Sequence, residues 1–131
     1  MRRFITNGEG LPNWSSPISH AVVVDHICWL SGQLSIDGAG NYVAGSIREE
    51  AERALGNLLA ALHAAEFAAE ELVYVDVALV DLSDMAELNR WYAERFVEGR
   101  RPARTVAQVA ALPFGGRIKL SGVAIKEREC G

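Results

Sequence analysis

The apolar positions of this chain change period along its length, and the changes mark out its elements. Ala21-Val22-Val23-Val24 and Ile27-Cys28-Trp29-Leu30 are short runs rich in β-branched and aromatic residues, flanking Asp25-His26, so two strands joined by a tight turn are predicted. Ser31-Gly32-Gln33 then opens a polar stretch carrying Gly38, Gly40 and Gly45, which reads as loop. From there the period becomes helical. Ile47, Ala51, Ala54, Leu55, Leu58, Leu59 and Leu62 fall on one helical face, and Ser46 with Glu49 forms a capping box, predicting a core-covering helix from Ile47 to Ala65.

Alternation begins at Val73, Val75, Val77 and Leu79, which predicts a buried strand over Leu72 to Val80 with Asp76 turned to the other face. Ser83 is the expected cap of a second helix, with Asp84 and Glu87 in its first turn and Met85, Leu88, Trp91, Tyr92 and Phe96 on its apolar side. Gly99 to Arg101 closes that helix. A strand-like stretch from Val106 to Leu112, a turn over Pro113 to Gly116 and a last strand from Arg117 to Ile125 complete the chain. In the last strand the apolar residues sit at Ile118 and Leu120, then at Val123 and Ile125, so a bulge at Gly122 is expected. The order strand, strand, helix, strand, helix, strand, strand predicts an α+β domain over residues 1–131, with two helices packed on one face of a sheet.

Composition narrows the chemistry. The 131 residues, 50% hydrophobic, suffice for one domain with a real core. Phe4-Ile5 is followed at once by Thr6-Asn7-Gly8, so no signal peptide or membrane span is expected, and a cytoplasmic setting is the expectation. Cys28 and Cys130 make neither a disulfide framework nor a zinc pattern, and His20, His26 and His63 are scattered, so no metal site is expected. Cys28, between Ile27 and Trp29, reads as core rather than as a nucleophile. His20 reads as a solvated strand-edge histidine, with a general-acid role as the alternative. A formal charge of -4 argues against avid binding to nucleic-acid phosphates.

One basic residue stands apart. Arg101-Pro102-Ala103-Arg104-Thr105 delivers a guanidinium into the strand-like stretch that follows. Pro102 presets its own φ and biases Arg101 toward extended backbone, and Thr105 and Val106 are β-branched, so Arg104 is expected on rigid structure. A guanidinium's planar fork of donors matches a carboxylate or phosphate. The plainer alternative is a strand-end arginine in a surface ion pair.

Ser31-Gly32-Gln33, a helix bearing Asn57, Asn89 with Tyr92 and Phe96, and Pro102-Ala103-Arg104-Thr105 followed by Leu112-Pro113 stand in an order and spacing that resembles the RidA/YjgF family over nearly the whole chain. The resemblance implies a chorismate-mutase-like α+β fold with a mixed sheet, assembled as a homotrimer with a ligand cleft at each subunit interface and with no cofactor. Several members hydrolyse enamines and imines derived from amino acids, such as 2-aminoacrylate, to keto acids and ammonia. Relatives also carry the names endoribonuclease and translation inhibitor. By resemblance, Arg104 grips the substrate carboxylate with help from backbone N–H groups of Gly32 and Val106, and Ile18, Ser31 and Asn89 lie at the cleft. A glycine at 32 suits that role because it has no Cβ to hold a ligand off.

The chain also departs from the family pattern. Lys119 stands where deaminating members carry a glutamate thought to position or activate water, Ser121 on the same face is also not acidic, and Ile18 stands where they carry a tyrosine. The family's helix-ending glycine is Glu66 here, so the first helix must end without that left-handed residue. Lys119 either joins Arg104 in a doubly cationic cleft, with a role as base or imine-forming nucleophile as a further option, or it reaches solvent or pairs with a carboxylate such as Asp37. Three functions stay open: an enamine or imine hydrolase, a non-catalytic protein that binds a small carboxylate metabolite, and an endoribonuclease. The expected partners are further copies of the chain and a small carboxylate.

Overall fold

The computed structural model describes residues 2–128; Cys130 lies outside the described residues. Six strands form one sheet: β1 (Arg2–Ile5), β2 (Ala21–Val24), β3 (Ile27–Gln33), β4 (Leu72–Leu79), β5 (Ala103–Gln108) and β6 (Ile118–Ile125). Their spatial order is β1-β2-β3-β6-β4-β5. Helix α1 (Ile47–Ala64) packs on β3 and β6 and against α2 (Met85–Arg95). All neighbouring strands are antiparallel except β4 and β5, which run parallel because α2 carries the chain back between them. This is the expected α+β architecture with a mixed sheet, and it has one strand more than the pattern suggested. Strand β1 is short, largely exposed and pairs only with β2, so it carries no buried face for periodicity to detect.

Helix α1 starts as its sequence dictates. The Ser46 side chain accepts from the Glu49 N–H and the Glu49 carboxylate accepts from the Ser46 N–H, satisfying two of the helix's orphan donors. It ends with the Phe67 N–H on the Leu62 carbonyl and Glu66 at φ 66°. That six-residue closure normally recruits glycine. Here a glutamate adopts the left-handed backbone instead. The second helix begins differently from the expectation: Asp81, not Ser83, caps the chain by accepting from the Ser83 N–H, and a 3-10 turn over Leu82–Asp84 leads into α2.

Three strand readings are corrected. Ser31-Gly32-Gln33 is the end of β3, not a loop, because Gln33 still pairs with Leu120 across an irregular step after Leu30. Strand β5 begins right after Pro102, so Arg104 is its second residue, and Val109 to Leu112 lie beyond it. Strand β6 keeps strict alternation, with Ile118, Leu120, Gly122 and Ala124 buried beneath the helices. The slips lie in its neighbours, between Leu72 and Tyr74 and between Leu30 and Gln33. The first of these leaves Val73, expected in the core, 41% exposed. Gly122 is required because a Cβ there would stand 2.5 Å from the Tyr74 carbonyl oxygen.

The consequence is a second apolar surface. Val123 and Ile125 lie on the sheet face away from the helices, and the row Phe4, Val22, Trp29, Val123 crosses four strands there. Phe4 and Trp29 are 61% and 56% exposed.

Candidate functional site

Arg104 projects from β5 on the helix side, in register with the buried Val75. Its guanidinium lies over the Tyr92 ring, 4.7 Å from the centroid, and Tyr92 leans in turn on Phe96 with ring centres 4.5 Å apart. A guanidinium on an aromatic face keeps its in-plane donors free. Among the described residues no carboxylate reaches ion-pair distance of Arg104, which removes the plain surface ion pair. Arg104, Tyr92, Asn89, Pro102 and Arg101 line a groove of about 380 Å³. Arg101 is committed locally, donating to the Phe96 carbonyl at the end of α2 (3.1 Å). The Tyr92 hydroxyl is buried and finds no hydrogen-bond partner among the described residues. Burial pushes its phenol up, against the opposing pull of Arg104 and Arg101.

Strand β5 is the last of the sheet, and its outer edge is open. The Val109 N–H donates to the Leu79 carbonyl (2.8 Å); because N–H groups alternate sides along a strand, those of Arg104 and Val106 point away from β4 along that edge. Val106 itself is half-buried, packed against the core.

The other named residues lie elsewhere. Lys119 is next to Leu120 on β6 but on the face away from the helices, in register with Ala78. Its alkyl chain lies across Gly32, so closely that a Cβ at position 32 would come within 2.7 Å of Lys119 Cδ. Lys119, Gly32, Ile18, Leu34, Pro113 and Phe114 line a second groove of about 590 Å³. The pairing of Lys119 with Asp37 does not form: the Asp37 carboxylate accepts from the Ala39 and Asn41 N–H groups of its own loop. Ser31 is absorbed by the fold, its hydroxyl donating to the Ser19 carbonyl (2.6 Å). One chain therefore joins Arg104 with Asn89, and Lys119 with Gly32 and Ile18, but sets the two groups on opposite faces of the sheet. Neither groove is lined by a carboxylate.

His20 is not the solvated edge histidine expected from its position. It is 2% exposed, with Nε2 on the Pro12 carbonyl and Nδ1 on the Gln33 side-chain amide, both at 3.1 Å. A carbonyl can only accept, so Nε2 carries the proton and Nδ1 accepts from Gln33. Burial lowers its pKa, against the raising effect of the Pro12 bond. The ring also meets Trp14 at 4.4 Å between centres, so His20 fixes the segment that leads to Ile18. Cys28 is fully buried, and burial pushes its thiol up to about 11, consistent with the core reading.

Sequence reasoning passed over two residues. Glu50 is fully buried, accepting from the Tyr42 hydroxyl (2.6 Å) and from the Arg117 N–H (3.0 Å), so it ties the turn before β6 to α1. Burial and that bond push Tyr42 up to about 12. A carboxylate one position before the apolar stripe residue Ala51 was the available signal. Phe114, read only as part of a turn, is 63% exposed at the groove rim with φ 64°. A bulky residue in the left-handed region is an outlier in any fold.

The 2-iminobutanoate/2-iminopropanoate deaminases of Homo sapiens and Capra hircus are each 39% identical over 127 residues, covering 96% of this chain and 91% of theirs. The crystal structure of RidA from an Antarctic Psychrobacter superposes with a TM-score of 0.87 at 32% identity, covering 95% of this chain and all of that one. The YjgF gene product of E. coli gives 0.86 at 27% identity, covering 95% and 99%. Residues 11–126 match the sequence profile of the endoribonuclease L-PSP family. With fold, sequence and profile in agreement, the chain belongs to that family, the RidA/YjgF family.

Proposed function

We propose that this protein binds a small 2-imino, 2-enamino or 2-keto acid in a cleft between copies of itself, Arg104 of one copy gripping the carboxylate beside Lys119, Gly32 and Ile18 of another. The observation that carries the reading is the Arg104 guanidinium, stacked on Tyr92 without a carboxylate partner among the described residues. The outward N–H of Val106 lies beside it to share the anion. Two copies are required because the two residue groups face opposite sides of the sheet. The uncovered row Phe4, Val22, Trp29 and Val123 supplies an apolar surface for self-association. We take the assembly to be a homotrimer, so a solution mass near three times 14.2 kDa is expected.

The reaction proposed is hydrolysis of the carbon–nitrogen double bond. Water adds to the imine carbon, ammonia leaves, and the keto acid remains. Such a step needs a group that handles the proton of water or nitrogen. Generating 2-aminoacrylate from serine with a dehydratase and following pyruvate tests it: faster release with the protein present is expected, and an unchanged rate would remove the hydrolase reading for that substrate.

The second reading is a binding or regulatory protein without catalysis, and one observation favours it: no carboxylate lines either groove, and Lys119 holds the place of the family's glutamate. Keto-acid binding without hydrolysis would select it. An endoribonuclease reading rests on the family name alone. Among the described residues His20 is buried, His26 sits in the β2–β3 turn and His63 lies on α1, so no histidine pair meets for acid–base cleavage of RNA.

A further inference from the structure

The groove around Lys119 has more wall than a three-carbon acid can use. Its apolar side is made by Ile18, Leu34, Pro113 and Phe114. Ile18 and Phe114 are 50% and 63% exposed on the single chain, two large apolar side chains lining the same groove. Phe114 is also held there against its backbone preference. Its φ of 64° and ψ of 8° place it in the left-handed region, which a residue of this bulk avoids at a cost on the order of 1–3 kcal/mol. The surrounding turn fixes it: the Gly116 N–H donates to the Pro113 carbonyl (3.1 Å) and the Arg117 N–H donates to buried Glu50 (3.0 Å). In the same groove the Lys119 methylenes lie across Gly32 and add hydrocarbon to the lining.

We infer that this wall is a side-chain subsite, and that the protein selects 2-imino or 2-keto acids bearing a branched aliphatic or aromatic side chain over the three-carbon acid. The inference rests on the proposed carboxylate site: Arg104 fixes one end of the ligand, and Ile18 and Phe114 receive the other. Ligand burial releases the water held against both side chains, and each added methylene in such a pocket multiplies affinity about ten-fold or more. The strained turn sets the position of the Phe114 ring before the ligand arrives, which spares the ordering cost of a mobile loop.

Calorimetric titration of the intact protein with pyruvate, 4-methyl-2-oxopentanoate and phenylpyruvate tests this, using wild type, Arg104→Ala, Ile18→Ala and Phe114→Asn. Asparagine tolerates the left-handed backbone, so the last variant removes the ring without unfolding the turn. Both larger acids are expected to bind about ten-fold or more tighter than pyruvate, and that ratio is expected to collapse toward one in Phe114→Asn and Ile18→Ala. Equal affinities in wild type, or a ratio untouched by both substitutions, overturns the subsite while Arg104-dependent binding keeps the carboxylate site standing. Binding of none of the three acids, or binding indifferent to Arg104→Ala, overturns both.

Discussion

The Arg104 guanidinium lies over the Tyr92 ring, 4.7 Å from its centroid, and makes no ion pair among the described residues. Replacing Arg104 by alanine removes charge-assisted bonds of about 1.5–3 kcal/mol, so keto-acid affinity is expected to fall about ten-fold or more. Tyr92→Leu keeps the charge and loses the platform. A smaller loss is expected by the same titration, and an equal loss would assign the anion to Tyr92 instead.

Lys119→Glu returns a carboxylate to the position from which family members are thought to activate water. General-base assistance contributes about 10²–10⁴-fold, and a gain of that order in pyruvate release from 2-aminoacrylate is expected. A variant that folds and binds but stays inert would separate this groove from the chemistry.

Gly122→Ala inserts a Cβ 2.5 Å from the Tyr74 carbonyl oxygen. Backbone cannot swing away as a side chain can, so a loss of about 1–3 kcal/mol in denaturant unfolding is expected. Retained stability would mean that β4 and β6 can separate locally.

Glu66→Gly is expected to act the other way. Relief of the left-handed backbone at φ 66° contributes about 1 kcal/mol, whereas among the described residues the Glu66 carboxylate makes one exposed ion pair, with Arg3, whose removal costs little. A higher midpoint in thermal melts is the expected outcome.

His20 makes stability depend on pH in a stated direction. Burial lowers its folded pKa below the ordinary histidine value of 6.5, so the unfolded chain takes up its proton first on acidification. The contribution is complete above about pH 6.5 and is lost as pH falls through the lower folded value. The difference in stability between pH 7 and pH 5 is therefore expected to shrink in His20→Gln, measured by urea unfolding at each pH.

Local rules carried much of the fold. The Ser46–Glu49 capping box and the seven-residue apolar stripe placed α1 to within one residue at each end, because both signals are intrahelical. What depended on the neighbouring strand was not legible. Apolar Val123 and Ile125 suggested a slip in β6, yet they lie on the face away from the helices, while Gly122 and Ala124 are buried and Gly122 is small because β4 passes close to it. Strand β5 was placed too late because its pairing with β4, set from across the sheet, extends it back to Ala103. Arg104 stood out as a candidate anion ligand from its chemistry, whereas Gly32 became a candidate through the family resemblance. The opposite facing of Arg104 and Lys119 was not legible, since strand parity has meaning only once the register is known. Burial of His20 depends on a distant partner, Gln33, that no local pattern announces, and the local hint at Glu50 did not reveal its partner Arg117.

In the intersubunit cleft proposed above, the division of Arg104 and Lys119 between the two faces of one sheet would make ligand capture a cooperative property of protein concentration. A molecule that needs both residues finds nothing complete on an isolated chain, so occupancy should fall steeply on dilution, faster than simple dissociation predicts. By the same linkage the ligand acts as a cross-brace: whatever binds only the joined copies must strengthen their joining by the same free energy. Saturating keto acid would then raise the melting temperature most at low protein concentration, where the assembly is weakest.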